Sequence, residues 1–226
     1  MTAGFFVTGT DTDVGKTWAT IALLRCLQRQ GLQVAGMKPV AAGCVWQDGQ
    51  LKNADALLMQ ANASMDLDYA MINPYAFEPA VSPHLACGEV VVELPVLVDR
   101  FKQLQQLAEL VVVEGAGGWY SPLSAEFDNA DLAQALGLSV ILVVGVRLGC
   151  INHARLTLKA IQQANLSCLG LVAVEIDPMM QAFEANLAYL QQQLDAPLLA
   201  VLPYIHTPDF EFLSQQFNQE TLKKLI

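Results

Sequence analysis

Short runs that are apolar at nearly every position alternate along this chain with longer segments whose apolar residues recur every three or four positions. The runs cover residues 5–7, 34–40, 110–113, 140–144, 169–174 and 198–202. They are rich in Val and Leu and show no polar face. A strand covered by helices on both sides has no solvent side, so these runs predict buried parallel strands. Helical spacing predicts helices over 16–30, 94–109, 151–164 and 179–194. In the first, Ile21, Leu24 and Leu27 share a face and Gly31 supplies the stop. Strand–helix alternation with short connections predicts an α/β fold: a doubly wound, mostly parallel sheet with helices on both faces. Residues 44–88 are less regular and rich in turn formers, and read as an insertion over the sheet edge. Residues 210–226 are more polar and predict a peripheral helix. With no repeat or linker, residues 1–226 read as one domain.

Composition narrows the function classes. The 226 residues are 54% hydrophobic and only 15% charged, enough apolar material for a large core and too much for a disordered chain. A net charge of −10 repels nucleic-acid phosphate and anionic lipid, so neither is an expected partner. The few basic residues become informative for the same reason. Five scattered cysteines without a Cys-x-x-Cys pair argue against a disulfide framework or zinc site and fit a reducing cytoplasm. The longest apolar stretch, 136–146, is broken by Gly137, Ser139 and Gly145 and is too short to span a membrane. Met1-Thr2-Ala3 carries no basic, export-type region.

The strongest chemical signal follows the first strand: Gly9-Thr10-Asp11-Thr12-Asp13-Val14-Gly15-Lys16-Thr17. Unpaired amides at a helix start, aided by the helix dipole, suit phosphate. Gly15 lets the backbone come close, Lys16 neutralises the outer phosphates, and the Thr17 hydroxyl suits Mg²⁺. The usual G-x-x-x-x-G-K-[ST] spacing would put the first glycine at position 10. Here that position is Thr10, and Gly9 lies one residue early. The loop reads as a nucleoside triphosphate site.

Lys38 ends the second apolar run, where open α/β sheets place their ligands. It reads either as a cation facing a transferred phosphoryl group or as a rim lysine with its stem on apolar surface. Glu114 follows the third run and precedes Gly115-Ala116-Gly117-Gly118; an acid there is the expected Mg²⁺ ligand or its support. Asp55 is a further carboxylate, or equally a capping or surface acid. His84 and His153 make no metal pair, and no G-x-S-x-G elbow supports covalent hydrolysis.

From the first strand to about Pro208, the chain resembles the dethiobiotin synthetases, ATP-dependent ring-closing ligases of biotin synthesis. The resemblance rests on Val7 to Thr17, Lys38-Pro39-Val40, Asn73-Pro74-Tyr75 and Ser82-Pro83-His84. It continues in Val113-Glu114-Gly115-Ala116-Gly117-Gly118-Trp119 and in Gly145-Val146-Arg147-Leu148-Gly149-Cys150-Ile151-Asn152-His153-Ala154. It implies that Asp13, Val14, Gly15, Lys16, Thr17 and Trp18 cradle ATP. Thr17, Asp55 and Glu114 would group around Mg²⁺, and Gly115, Ala116 and Gly117 would lie near nucleotide or substrate. Lys38 would be the catalytic lysine beside Lys16, with Thr12, Lys38 and Ala42 facing the substrate. Gly149, Cys150 and Asn152 would hold the substrate's carboxylate tail across a homodimer interface. Pro203, Tyr204 and Ile205 would line the purine pocket, and Asp209 is a further match across a gap.

Two departures stand out. Ala42 occupies a position where the family commonly has serine, so backbone or water would replace that hydroxyl. Val174-Glu175 replaces an Asn-Asp pair that reads adenine, and valine forms no hydrogen bond to a base. The implied reaction joins 7,8-diaminononanoate and CO₂ through a carbamate and a carbamic-phosphoric anhydride, with Asp13 a candidate to assist an amine. The rivals are a nucleotide switch of the MinD/ParA kind and an amidotransferase-linked synthetase of the cobyrinic acid kind. The first usually carries Lys-Gly-Gly early in the loop, where this chain has Thr10-Asp11-Thr12. The second needs a glutaminase domain for which 226 residues leave no room.

Overall fold

The valine-rich runs assemble side by side because none of them has a face that water could satisfy. The computed structural model describes residues 4–225; residues 1–3, expected to carry no export signal, and residue 226 lie outside them. Six strands form one parallel sheet: β1 (Gly4–Gly9), β2 (Val34–Met37), β3 (Leu110–Gly118), β4 (Ser139–Val146), β5 (Cys168–Glu175) and β6 (Leu198–Leu202). Their order is β6-β5-β4-β1-β3-β2. The main helices are α1 (Lys16–Gln28), α2 (Ala54–Ala61), α3 (Leu94–Gln105), α4 (Asn129–Leu136), α5 (Cys150–Gln163) and α6 (Phe183–Gln193).

Both faces of the sheet are covered, as the patternless strands require. Along β4, Leu142, Val144 and Val146 join α5 and α6 in one apolar cluster. Ile141 and Val143 point the other way, into the cluster that holds α1. Helix α1 is buried along most of its length, from Lys16 to Leu27. Gly31 follows it with φ +88°, a left-handed turn that ends the helix two residues earlier than the periodicity predicts. No helix among the described residues is long and apolar enough to cross a membrane.

Three local differences from expectation have physical reasons. The second strand stops at Met37, because Lys38 donates its amide to Ile72 O (2.8 Å) and Pro39 has no amide to give. Val40–Ala41 then pairs with Tyr75–Ala76 in a separate two-stranded piece. The third strand continues past the apolar run through Glu114 to Gly118, so the glycine-rich segment after Glu114 is part of the strand. Helices α2 and α4 had no periodic signature, since each is only eight residues long. Caps define them instead. The Asn53 side chain accepts the Asp55 and Ala56 amides, and Asp128 with Asp131 forms a capping box before α4.

Residues 44–88 lie against edge strand β2 as expected, and they bring α2 onto it. A Cβ on Gly36 would come within 2.9 Å of the Met59 Cβ and 3.2 Å of Leu24 Cδ1. Only glycine lets α2 seat this closely. At the chain end, Phe210–Ser214 packs on α1, with Phe210 edge-on to Trp18 (6.4 Å) and Glu211 3.4 Å from Arg29. The carboxyl ends of β1, β2, β3, β5 and β6 converge on one rim, the usual ligand side of an open α/β sheet.

Gly36→Val should lower stability by about 1–3 kcal/mol in urea unfolding, because α2 must move off β2. The same displacement carries Asp55 away from Lys38, so nucleotide affinity should fall with it. Unchanged stability would mean that α2 is not held by this contact.

Candidate active site

Between Gly9 and Lys16 the chain makes a tight loop whose shape depends on two left-handed residues. Asp13 has φ 57°, a conformation that aspartate tolerates better than most residues, and Gly15 has φ 86°. A Cβ on Gly15 would lie 2.8 Å from Val174 Cγ1, so any other residue would push the loop off β5. Gly15 caps α1 without a side-chain hydrogen bond, and no acidic residue occupies the first turn. The opening amides of α1 are therefore open to an anion, with no side-chain cap or first-turn acid competing for them. Lys16 folds back over the loop, its Nζ donating to Asp11 O at 2.8 Å. The Asp11 carboxylate pairs with Arg147, tying the loop to the end of β4.

Below the loop lies a cluster of buried charge. Lys38 Nζ stands 2.7 Å from Glu114 Oε1 and 3.3 Å from Asp55 Oδ2. The Thr17 hydroxyl donates to the same Glu114 Oε1 at 3.0 Å. Glu114 is fully buried, and its Oε2 has no hydrogen-bond partner. Burial lowers the Lys16 ammonium to about 8, and the neighbouring Lys38 charge adds to that shift. Burial also acts to lower Lys38, but the Glu114 and Asp55 carboxylates outweigh it and hold its pKa above the ordinary lysine value.

The donor set fits Mg²⁺. An orphaned carboxylate oxygen, a threonine hydroxyl and a second carboxylate suit a cation that keeps waters and takes phosphate oxygens for the rest. No group of three or more His, Cys, Asp or Glu able to hold a metal occurs among the described residues.

Two cavities meet at this cluster. The first, about 460 Å³, runs from Gly15, Lys16 and Thr17 past Glu114 to an apolar end formed by Trp18, Leu58, Val174, Ile176, Pro203 and Ile205, with Glu175 and Tyr204 beside them. The second, about 550 Å³, is walled by Ala41, Ala42, Asn53, Ala116 and Ser121 and by residues 80–83. Thr12, Asp13, Lys38, Asp55 and Gly117 line both.

The structure thus gathers most of the residues singled out in the sequence and places a few elsewhere. Val14 is buried beneath the loop, where it touches Gly145. Gly115 lies against Asn129, whose Oδ1 is 2.6 Å from where a Cβ would be. Asp209 accepts the Phe212 amide as the cap of a short helix and is absent from the cavity lining. Gly149, Cys150 and Asn152 open α5, outside both cavities of their own chain. Ala42 lines the second cavity as expected, and two hydroxyls, Ser82 and Ser121, share that lining.

Asn129 was not legible in the sequence. Fully buried, it donates to Ala116 O and Gly118 O (2.7 Å each) and accepts the Ala116 amide (3.2 Å). It therefore holds the glycine-rich end of β3 against the cavities. The one available signal was its place directly after the Asp128 cap.

The Lys16 shift has a consequence for binding. A bound polyphosphate stabilises the charged ammonium and raises its pKa above the free value of about 8. Binding then takes up a proton above that pH, so nucleotide affinity should be flat below pH 8. Above it, affinity should fall, approaching about tenfold per pH unit. Calorimetric titration from pH 7 to 9.5 checks this; a flat profile would remove Lys16 from the phosphate site.

Comparison with known proteins follows the same outline. A family model described as an AAA domain matches residues 3–211. The ATP-dependent dethiobiotin synthetase BioD of Xanthomonas campestris pv. campestris is 50% identical over 216 residues, 95% of this chain and 96% of that protein. The protein of the same name from Xylella fastidiosa is 49% identical over 203 residues, 89% and 90% of the two chains. Among solved structures, the MinC:MinD cell division protein complex of Aquifex aeolicus aligns over 98% of this chain and 94% of that one. Its TM-score is 0.59 and its identity 15%, a likeness of fold alone. Half identity across nearly the full length, on a phosphate-loop sheet with buried charge at its rim, places this chain in the ATP-dependent dethiobiotin synthetase family.

Proposed function

We propose that this chain closes the cyclic urea of dethiobiotin from 7,8-diaminononanoate and CO₂ in biotin synthesis, with ATP as phosphoryl donor. It is then an ATP-dependent carbon–nitrogen cyclo-ligase working as one phosphate-loop α/β domain. The observation that carries this reading is the meeting of the two cavities at Lys38. One cavity suits a nucleotide, the other an acceptor, and Lys38, Thr12, Asp13 and Gly117 belong to both. A nucleotide switch of the MinD kind shares the fold, but it has no need of a second cavity opening on the terminal phosphate.

In this reading one substrate amine combines with CO₂ to form a carbamate and releases a proton. The carbamate oxygen attacks the γ-phosphorus in line, ADP leaves, and a carbamic-phosphoric anhydride forms. The second amine then attacks the carbonyl carbon, phosphate departs, and the amine gives up its proton as the ring closes. Carbamate and triphosphate repel each other, so the step requires fixed positive charge in a place that excludes water. Lys16 serves the phosphates, and Lys38 serves the point where carbamate and γ-phosphate meet. Asp13 lines both cavities, which supports its accepting an amine proton in this reading. Thr17, Asp55 and Glu114 would hold Mg²⁺, which when bound neutralises charge on the outer phosphates. The base lies between Trp18 and the Pro203-Tyr204-Ile205 segment.

The placement of Gly149, Cys150 and Asn152 supports a homodimer. Helix α5 starts without a side-chain cap or an acidic first turn, so its amides suit a carboxylate. Outside their own chain's cavities, these residues are available to a partner's. Leu148 is 97% exposed, and Tyr120 and Leu156 are exposed beside a surface cleft that α5 lines, an apolar face suited to a second copy. The acidic balance and reduced cysteines fit a cytoplasmic protein that engages neither nucleic acid nor membrane.

Diaminononanoate and bicarbonate together should stimulate phosphate release from ATP, with dethiobiotin as product. Robust turnover without the diamine, and none gained with it, would sink the ligase reading. Lys16→Ala should lower the rate by about two orders of magnitude or more, since it removes a charge aimed at the transferred phosphate. A near-normal rate would show that the phosphate site lies elsewhere.

A further inference from the structure

The apolar end of the first cavity is shaped for a flat ring, but its walls differ in what they can say to one. Trp18, Leu58, Val174, Ile176, Pro203 and Ile205 carry no group that hydrogen-bonds to a base edge except the Trp18 indole N–H. Val174 is also pinned, because its methyl groups press on Gly15. The one fixed acceptor side chain there is Glu175, the last residue of β5. Its Oε2 accepts the Tyr204 backbone amide at 3.1 Å, which ties the ends of β5 and β6 together and sets the carboxylate's orientation. Its Oε1 makes no hydrogen bond among the described residues and remains for a ligand.

We propose that Glu175 reads the base as an obligate acceptor, so that the site takes nucleotides whose base carries an exocyclic amino group and disfavours uracil. The proposal rests on the nucleotide-site reading above and adds to it a rule of selection. An ionised carboxylate only accepts hydrogen bonds. Adenine offers N6–H₂, cytosine N4–H₂ and guanine N2–H₂, each able to donate to the one free oxygen, Oε1. Uracil presents a single N–H between two carbonyl oxygens, and either oxygen would face the carboxylate with lone pairs opposed. With Val174 apolar, nothing among the lining side chains singles out adenine from the other amino-bearing bases. GTP and CTP therefore join ATP as ligands, and UTP stands apart.

The test uses the full chain and its intrinsic tryptophan fluorescence, since Trp18 lines the cavity. Dissociation constants for ATP, GTP, CTP and UTP are measured for the unaltered protein, Glu175→Gln and Lys16→Ala, with inorganic triphosphate as the base-free probe. ATP, GTP and CTP should bind within about tenfold of one another, and UTP about tenfold or more weaker than CTP, the size of one charged hydrogen bond. In Glu175→Gln the amide oxygen can still accept the Tyr204 amide, which preserves the fold, while the NH₂ group turned to the base now donates. The CTP-over-UTP preference should shrink to within about threefold or reverse. A preference for CTP that survives the substitution unchanged, or equal binding of CTP and UTP in the unaltered protein, overturns the role of Glu175. If Lys16→Ala leaves all four nucleotides and inorganic triphosphate binding as before, the nucleotide site itself is misplaced, and this proposal falls with it.

Discussion

Glu114 is a carboxylate with no exposed surface, and Lys38 and Thr17 supply the contacts that compensate its burial. An uncompensated ion in that position would cost several kcal/mol even after local relaxation. The partners come from separate elements: Glu114 from within β3, Lys38 from the end of β2, Thr17 from the first turn of α1, and Asp55 from the first turn of α2. Each element is thereby held to the others at one point. The pair need not add net stability to do this, since its desolvation offsets much of its attraction. What it secures is position, and every feature of the rim depends on that.

The same charge balance explains how the two lysines differ. Lys38 sits between two carboxylates, which keep it charged despite burial. Lys16 is buried too, with a carbonyl as its hydrogen-bond acceptor and Lys38 as a like-charged neighbour, and so holds its proton loosely until an anion arrives. In the proposed function a triphosphate would supply the negative charge that Lys16 lacks, and Lys38, which lines both cavities, would meet an acceptor without reorganisation. Preorganised charge of this kind is what anionic phosphoryl transfer demands of a protein.

Much of this was legible in the sequence, though not all of it for the same reason. The strands, the phosphate loop and helix α1 could be read because each is set by residues adjacent in the chain: a Val-rich run, a glycine before a lysine, a recurring apolar face. Lys38 and Glu114 could be read as strand-end charges, but their 2.7 Å contact could not, because 76 positions separate them. Helices α2 and α4 escaped notice because eight residues are too few for a periodic signal, and their caps speak only once the fold is known. Asn129 escaped for a deeper reason. A buried asparagine that hydrogen-bonds the backbone of Ala116 and Gly118 looks in sequence like any polar residue after a cap.

What the sequence determined by itself is the layered α/β architecture, the identity of the phosphate loop and the family, each carried by short-range pattern or by long matching motifs. Only the tertiary structure decided that β3 runs on to Gly118, that Asp209 caps a short helix and does not line the cavity, and that Gly149, Cys150 and Asn152 stand outside their own chain's cleft. It alone also showed that Gly9 to Thr17 opens onto two cavities and that a carboxylate waits at the end of one. These outcomes depend on strand order and on where five carboxyl ends converge. Such convergence joins residues far apart in the chain, and no local spacing encodes the distance between them.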